Sequence, residues 1–195
     1  MKKLLYTGML ATSLLAFQAC NSGSKDAKEN ADSINKSKDT TTNTASTGGI
    51  AVEEADAKFA TDAANGGLAE VALGKLALEK TTNASVKEFA NMMVNDHGKA
   101  NEELMSIAAT KNITLPADVD AEHKKKADDL SKKTGKDFDK DYVDAMVDGH
   151  KKTLKLMQDE AKDGKDTELK AFAAKTAPIV QAHLDMINKI NDSMK

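Results

Sequence analysis

The sequence predicts an all-α protein built as a four-helix bundle, with a long crossover that contains a short helix between helices 2 and 3. Three observations carry this prediction. Ala, Lys, Leu, Met and Glu dominate the chain beyond residue 52, and these residues favour helices. Apolar residues recur there at spacings of three and four, which places them on one face of a helix. Strand signals are almost missing from the same region.

The first two helices are predicted over residues 53–80 and 85–111. Ser85 is a plausible N-cap for the second, and Glu88 three positions later completes a capping box. The Leu115-Pro116 dipeptide ends this region, because the residue before a proline disfavours the helical conformation. The inward stripes of these two helices are predicted as Phe59, Ala63, Gly66, Glu70, Leu73 and Ala77, and as Val86, Phe89, Met93, His97, Ala100, Leu104 and Ile107.

A short crossover helix is predicted over 117–133, followed by long helices over 137–161 and 167–191. Pro178 lies inside the last of these and is expected to bend it, since proline lacks a backbone donor. Short links within each pair and a long link between pairs are typical of a bundle with one crossover. The predicted stripes are Phe138, Tyr142, Met146, His150, Thr153 and Met157, and then Phe172, Thr176, Ile179, His183, Ile187 and Ile190.

The first 19 residues have the layout of a bacterial lipoprotein signal peptide. Lys2 and Lys3 precede an apolar run over 4–17, and Cys20, the single cysteine of the chain, follows a small residue. This run is shorter than the roughly 20 residues needed to cross a bilayer. A lone thiol at the cleavage boundary is most simply explained by acylation. We therefore predict signal removal over 1–19, lipidation of Cys20 and a location in the cell envelope, at the outer membrane.

Residues 20–50 are expected to form a disordered tether, and residues 51–195 the folded domain. Between residues 21 and 49, Ile34 is the only large apolar residue, so this segment is expected to bury too little surface to offset the entropy of ordering. The chain carries a net charge of −3, and its charges of both signs are interleaved. This pattern indicates a solvated helical surface and argues against nucleic acid as a partner.

Several segments together resemble a family of bacterial envelope proteins, the ferritin-like domain of unknown function numbered 4142. The resemblance implies a ferritin-like bundle and an envelope location, and it implies no settled activity. It covers nearly all of the domain. The segments are Phe59 with 63–71, then 89–97, then Phe138 and Asp139 with Tyr142 and His150, and finally Pro178 with His183 and Leu184.

Four chemistry-bearing residues fall on the inward stripes, one on each long helix: Glu70, His97, His150 and His183. From the rise of a helix, Glu70 and His97 lie about 18 and 22 Å from the turn joining their helices, and His150 about 22 Å from the later turn. His183 comes out about one turn further along. Imidazole and carboxylate groups that converge in a bundle hold transition metals, here iron, zinc or copper rather than magnesium.

Two other interpretations of these residues stay open. The histidines can instead form a buried polar network with Glu70 that sets the helix register. Met93 and Met146, each four positions before a histidine, are secondary ligand candidates suited to copper, although such methionines also fill cores. Asp96 and Asp148 are expected to point away from the stripe and either stay solvated or cap side-chain hydrogen bonds, and His123 to lie exposed in the crossover.

A di-iron oxidase is disfavoured by the sequence. Ferritin-type sites use Glu-x-x-His on two helices, whereas Val94, Val147 and Val180 occupy the positions three before the histidines. We therefore predict a lipid-anchored envelope protein with a structural or interaction role and an unidentified envelope partner. The alternative is a metal-binding four-helix module, and catalysis of the oxidase or peroxidase kind is the weakest of the three.

Overall fold

The computed structural model describes residues 25–38 and 49–195, and every regular element in these ranges is helical. The segment predicted as a signal peptide and Cys20 lie outside the described residues. The elements are α1 (Ala27–Lys38), α2 (Glu54–Lys80), α3 (Ala84–Met92), a π-helical turn (Met93–His97), α4 (Gly98–Thr110), α5 (Ala121–Ser131), α6 (Gly135–Asp163) and α7 (Thr167–Ser193).

Four long rods form the bundle: α2, the continuous run from α3 through α4, α6 and α7. The rod α2 packs against both α3–α4 and α6, and α7 packs against the same two neighbours. Short links over 81–83 and 164–166 join the members of each pair, and the crossover over 111–134 carries α5 across α2 and α6. The all-α, ferritin-like four-helix bundle predicted from the sequence is confirmed.

Two apolar clusters fill the bundle. The first lies towards the α2–α3 link and contains large buried side chains such as Phe89, Phe138 and Tyr142. The second lies towards the opposite end and includes Phe59, Leu104, Met157, Leu169 and Phe172. On α2 and on the α3–α4 rod, a buried polar residue separates the members of one cluster from those of the other. That polar residue is Glu70 on α2 and His97 on the α3–α4 rod.

The residues of the predicted stripes are buried or half-buried, apart from one that is exposed. Ile179 is 42% exposed, while its neighbour Val180 is fully buried. A helical period of 3.6 puts positions three and four after Thr176 almost equally close to the stripe. Packing of α7 selects the second of them.

The predicted capping box at Ser85 is wrong. Asn83 is the N-cap of α3, and its side-chain oxygen accepts from the backbone N–H groups of Ser85 and Val86. Asparagine is among the best N-cap residues. The helix therefore starts one residue earlier than the sequence pattern indicates.

The disordered tether predicted for 20–50 is also wrong over the residues of α1. This helix packs against α2, with Ala31 and Asn35 buried. The Asn35 side chain donates to the carbonyl of Thr114 at 2.9 Å and accepts from its N–H at 2.7 Å. Lys28 pairs with Asp32 and Asp62. Polar contacts thus hold α1 against the bundle, although its composition offers little apolar surface.

Candidate metal centre

A buried polar layer crosses the bundle, with one residue from each long rod. Glu70 comes from α2, His97 from the π-helical turn, His150 from α6 and His183 from α7. Their exposed fractions lie between 0 and 5%. The structure therefore brings together all four residues that the sequence singles out. It also brings His183 level with the others, although helix rise alone places it a turn away.

The π-helical turn is the local feature that carries His97. Its five residues run from Met93 to His97 and join α3 to α4 without a break in the rod. A π turn inserts one extra residue into a helix and is frequent at functional sites. The stripe pattern does not predict this turn. Met93 and His97 both point inward at a spacing of four residues, which is also the spacing expected of an ordinary α-helix.

Glu70 links two of the histidines. Its Oε2 atom lies 2.8 Å from His97 Nδ1, within ion-pair range, although the pair lacks hydrogen-bond alignment. Its Oε1 atom lies 3.6 Å from His150 Nδ1 and accepts a long hydrogen bond of 3.4 Å from the Thr153 hydroxyl. The carboxylate therefore presents one oxygen to His97 and the other towards α6.

His150 and His183 are each oriented by one ring nitrogen. His150 Nδ1 donates to the carbonyl of Met146 at 2.8 Å. His183 Nε2 lies 3.0 Å from Asp96 Oδ2 and donates to it. Of the two expectations for Asp96, solvation or a side-chain hydrogen bond, the structure shows the hydrogen bond, which Asp96 accepts from His183 while its side chain stays 39% exposed. Asp148 is exposed as expected.

One nitrogen of each ring is left over. His97 Nε2, His150 Nε2 and His183 Nδ1 are buried and have no hydrogen-bond partner. The ring centroids are 5.4–5.7 Å apart, and one ligand atom from each ring lies within 4.8 Å of the other two. The three rings therefore face one another across a short distance in the core.

Charge coupling sets the protonation of the layer. Burial by itself raises the pKa of Glu70, but the charge and contact of His97, with His150 and His183, outweigh it and lower the pKa to about 2. Burial acts to lower the pKa of His97, yet the Glu70 carboxylate, with Asp96, raises it overall. Glu70 and His97 therefore form an ion pair near neutral pH.

The other two rings stay neutral. Burial lowers the pKa of His150 despite the opposing Glu70 carboxylate, and His97 lowers it further. Burial and the charge of His97 lower the pKa of His183, against the effect of Asp96. A neutral imidazole has a lone pair to give to a metal, so these two rings are ready ligands.

Neighbouring side chains complete the surroundings of the layer. Met93 and Met146, the secondary candidates, are almost fully buried in the apolar cluster beside it. The Phe89 ring contacts His150 and His183 edge-on. Burial, and then the charge of Glu70, raise the pKa of Tyr142, whose hydroxyl is buried without a hydrogen-bond partner. The stripe pattern placed Tyr142 inward but did not indicate that its hydroxyl would lie beside the polar layer.

His123 lies apart from the layer. Its Nδ1 is 2.7 Å from Asp120 Oδ1 and 3.3 Å from the Asn65 amide, and its side chain is 28% exposed. His123 thus lies in the crossover, as expected, but its side chain is half-buried rather than exposed. The N-cap of α5 and a polar residue of α2 hold His123 in place.

A ferritin-type di-iron centre does not fit this layer. Such a centre needs several bridging carboxylates, whereas the metal-compatible group found in the described residues consists of His97, His150 and His183. Glu70 is the carboxylate that touches these rings from inside the bundle. The donor set fits a single borderline ion such as zinc, copper or iron.

Comparison with known proteins gives a family and a fold. No curated protein matches the sequence. The structure is similar to the crystal structure of a DUF305 fragment from Deinococcus radiodurans, with a TM-score of 0.64 and 10% identity, covering 73% of this chain and 98% of that one. The family model described as Domain of unknown function (DUF4142) matches residues 39–190. The chain therefore belongs to the DUF4142 family.

Proposed function

We propose that this protein is a lipid-anchored envelope protein whose helical bundle binds one transition-metal ion at the Glu70–histidine layer. The anchor is supported by the signal-like pattern over 1–19 and by the position of Cys20. Among the described residues, no helix is both long and apolar enough to span a bilayer. The metal site is carried by one observation: three buried histidines each offer a ligand atom within 4.8 Å of the other two, and each ring keeps one buried nitrogen without a hydrogen-bond partner.

These nitrogens favour a ligand site over a purely structural network. Buried polar groups in natural cores are almost always paired, and an unpaired one costs about 1–3 kcal/mol. A network that served stability would pair its rings with each other or with Glu70. Here three buried nitrogens have no hydrogen-bond partner. His150 Nε2 and His183 Nδ1 offer lone pairs to a metal ion directly, and His97 Nε2 does so once His97 has released its proton, so one ion satisfies all three.

The ligand chemistry selects the class of ion. Three imidazoles with a carboxylate beside them suit Zn²⁺, Cu²⁺ or Fe²⁺, whereas Mg²⁺ and Ca²⁺ prefer oxygen donors. The ordering contacts of His150 with Met146 and of His183 with Asp96 resemble the hydrogen bonds that orient metal-binding histidines in general. Met93 or Met146 would add a thioether for a cuprous ion.

The test is thermal unfolding of the metal-free protein with Zn²⁺, Cu²⁺ or Fe²⁺ added one at a time, and with Mg²⁺ as a negative control. At a hundredfold excess over the dissociation constant, a bound ion stabilises the fold by about 2.7 kcal/mol. That corresponds to a rise of about 5–10 °C in melting temperature for a domain of this size. The rise should vanish in His150→Ala and persist in His123→Ala, because His123 lies outside the layer.

The alternative function is the structural or interaction role favoured by the sequence. It predicts the same melting temperature with every ion, in the wild type and in both variants. That result would reject the metal site and leave the histidines as core polar residues.

A further inference from the structure

A cleft opens between α2 and α6 beside α5 and leads to the buried layer. Its volume is about 270 Å³, and its lining includes Gly66, Ala69, Ala145 and Gly149. Glu70 and Met146, both buried, form its inner end. Lys126, Lys152 and His123 lie around its mouth. The cleft therefore connects solvent with the carboxylate that touches His97.

The two glycines of the cleft are not required by packing. A Cβ atom at Gly66 would come no closer than 3.8 Å to Thr153 Oγ1, and one at Gly149 no closer than 3.9 Å to Glu70 Oε1. Both are ordinary contacts, and neither glycine has a positive φ angle. Glycine inside a helix is destabilising relative to alanine. At these two positions the absence of a side chain leaves open space in the cleft.

Other glycines of α2 behave differently. A Cβ atom at Gly67 would overlap the Asn101 amide, and one at Gly74 would lie 3.0 Å from the carbonyl of Ala90. Those two glycines allow α2 to approach the α3–α4 rod closely. The glycines on the cleft side serve no such approach.

Glu70 spans the wall between the cleft and the histidines. Its Oε1 faces Gly149 and the Thr153 hydroxyl, and its Oε2 faces His97. His97, His150 and His183 are themselves at most 5% exposed. An ion from solvent must therefore pass the side chains that cover them. A carboxylate that lines the cleft and also lies close to His97 and His150 is suited to pass a cation from the cleft to the rings.

We propose that this cleft is the route by which the metal ion enters and leaves the layer, with Glu70 as the first ligand met on the way in. This inference rests on the proposed function. Lys126 and Lys152 line the cleft at its mouth, and Asp62, which also lines the cleft, is already paired with Lys28 and Lys58. A positive mouth repels a free divalent cation and limits how fast it enters.

The experiment measures how fast the protein takes Zn²⁺ from a chromophoric zinc indicator, by stopped flow. Filling the cleft with Gly149→Leu or Gly66→Leu should slow uptake by about tenfold or more, since entry then waits for local opening of the helices. The final stoichiometry should stay at one ion. Gly149→Ala, which fills little of the cleft, should load at close to the wild-type rate.

Charge reversal at the mouth of the cleft provides an independent second test of the route. Lys152→Glu should accelerate Zn²⁺ uptake by about tenfold at low salt, and the gain should shrink as salt is added. The matched control is Lys151→Glu, an equal charge change at an exposed position that does not line the cleft.

The outcomes separate the two proposals. A wild-type protein that takes up no Zn²⁺ overturns both the metal site and the route. A wild type that binds Zn²⁺, while both leucine variants fold and load at the wild-type rate, overturns the cleft alone. Equal effects of Lys151→Glu and Lys152→Glu would also count against this route, because they would show a general charge effect.

Discussion

The metal-site and structural-network hypotheses make opposite predictions for the stability of a His150 variant. The Nδ1 atom of His150 donates to a helical carbonyl, and its Nε2 is buried without a partner. Replacing a buried, partly unsatisfied group by an apolar side chain of similar size is close to neutral or stabilising. We expect His150→Leu to leave the free energy of unfolding of the metal-free protein within about 1 kcal/mol of wild type, or above it.

The same variant should lose the rise in melting temperature on addition of Zn²⁺. Urea unfolding of the metal-free protein and thermal unfolding with and without Zn²⁺ measure both effects. A loss of several kcal/mol without metal would show that His150 stabilises the core as part of a satisfied network.

Glu160 is a second buried acid, far along α6 from the layer. It is 7% exposed, and burial, together with the charges of Asp56 and Asp166, raises its pKa from 4.5 to about 7. The folded state therefore holds a proton that the unfolded state has already lost over this range. By linkage, the stabilisation present below pH 4.5 declines as the pH rises to about 7.

We expect Glu160→Gln to remove this dependence. The variant should unfold at a higher urea concentration than wild type at pH 8, and at nearly the same concentration at pH 4. Glu102→Gln, at an exposed position of α4, is the control and should shift neither midpoint. A wild type whose stability rises between pH 5 and 8 relative to the glutamine variant would contradict the assignment.

At the scale of the elements, the sequence pattern and the structure assign different N-cap residues to α3. Asn83 caps two backbone N–H groups, whereas Ser85 lies within the first turn. Asn83→Ala should cost about 1 kcal/mol of stability. Ser85→Ala, the matched control, should cost a few tenths at most. Urea unfolding of both variants checks this, and the reverse order would restore the capping box at Ser85.

The bounds of the long helices were predicted to within a few residues, because apolar spacing and turn residues mark them. The π-helical turn was not predictable in this way. It changes the backbone hydrogen bonds of Met93–His97 while leaving the inward residues at the spacing of an ordinary helix. Its consequence appears only in three dimensions, where it brings Asp96 to His183.

At the scale of the whole molecule, α1 is held to the bundle by polar contacts that reach far along the chain. Asn35→Ala removes both hydrogen bonds to Thr114. We expect this variant to open α1 locally, with amide exchange over 27–38 faster by about tenfold and the global melting temperature little changed. Lys36→Ala, on the exposed side of α1, should exchange as wild type does. Equal exchange in both variants would mean that Asn35 does not hold the helix.

The sequence by itself determined the fold class, the four long helices, the crossover and the four residues of the buried layer. All of these follow from periodicity, because a period of 3.6 assigns each residue to a face. Lipidation at Cys20 stays a prediction from the same sequence. The docking of α1 was missed, since composition reports apolar content and says nothing about hydrogen bonds between distant segments.

Only the tertiary structure decided how the layer is arranged. It determined that His97 pairs with Glu70, that Asp96 reaches His183, and that three ring nitrogens lack partners. The packing of the helices also leaves the cleft beside Gly66 and Gly149. These features depend on distances of a few ångströms between side chains on different helices. A one-dimensional pattern places a residue on a face of its own helix, whereas packing between helices decides what that residue meets.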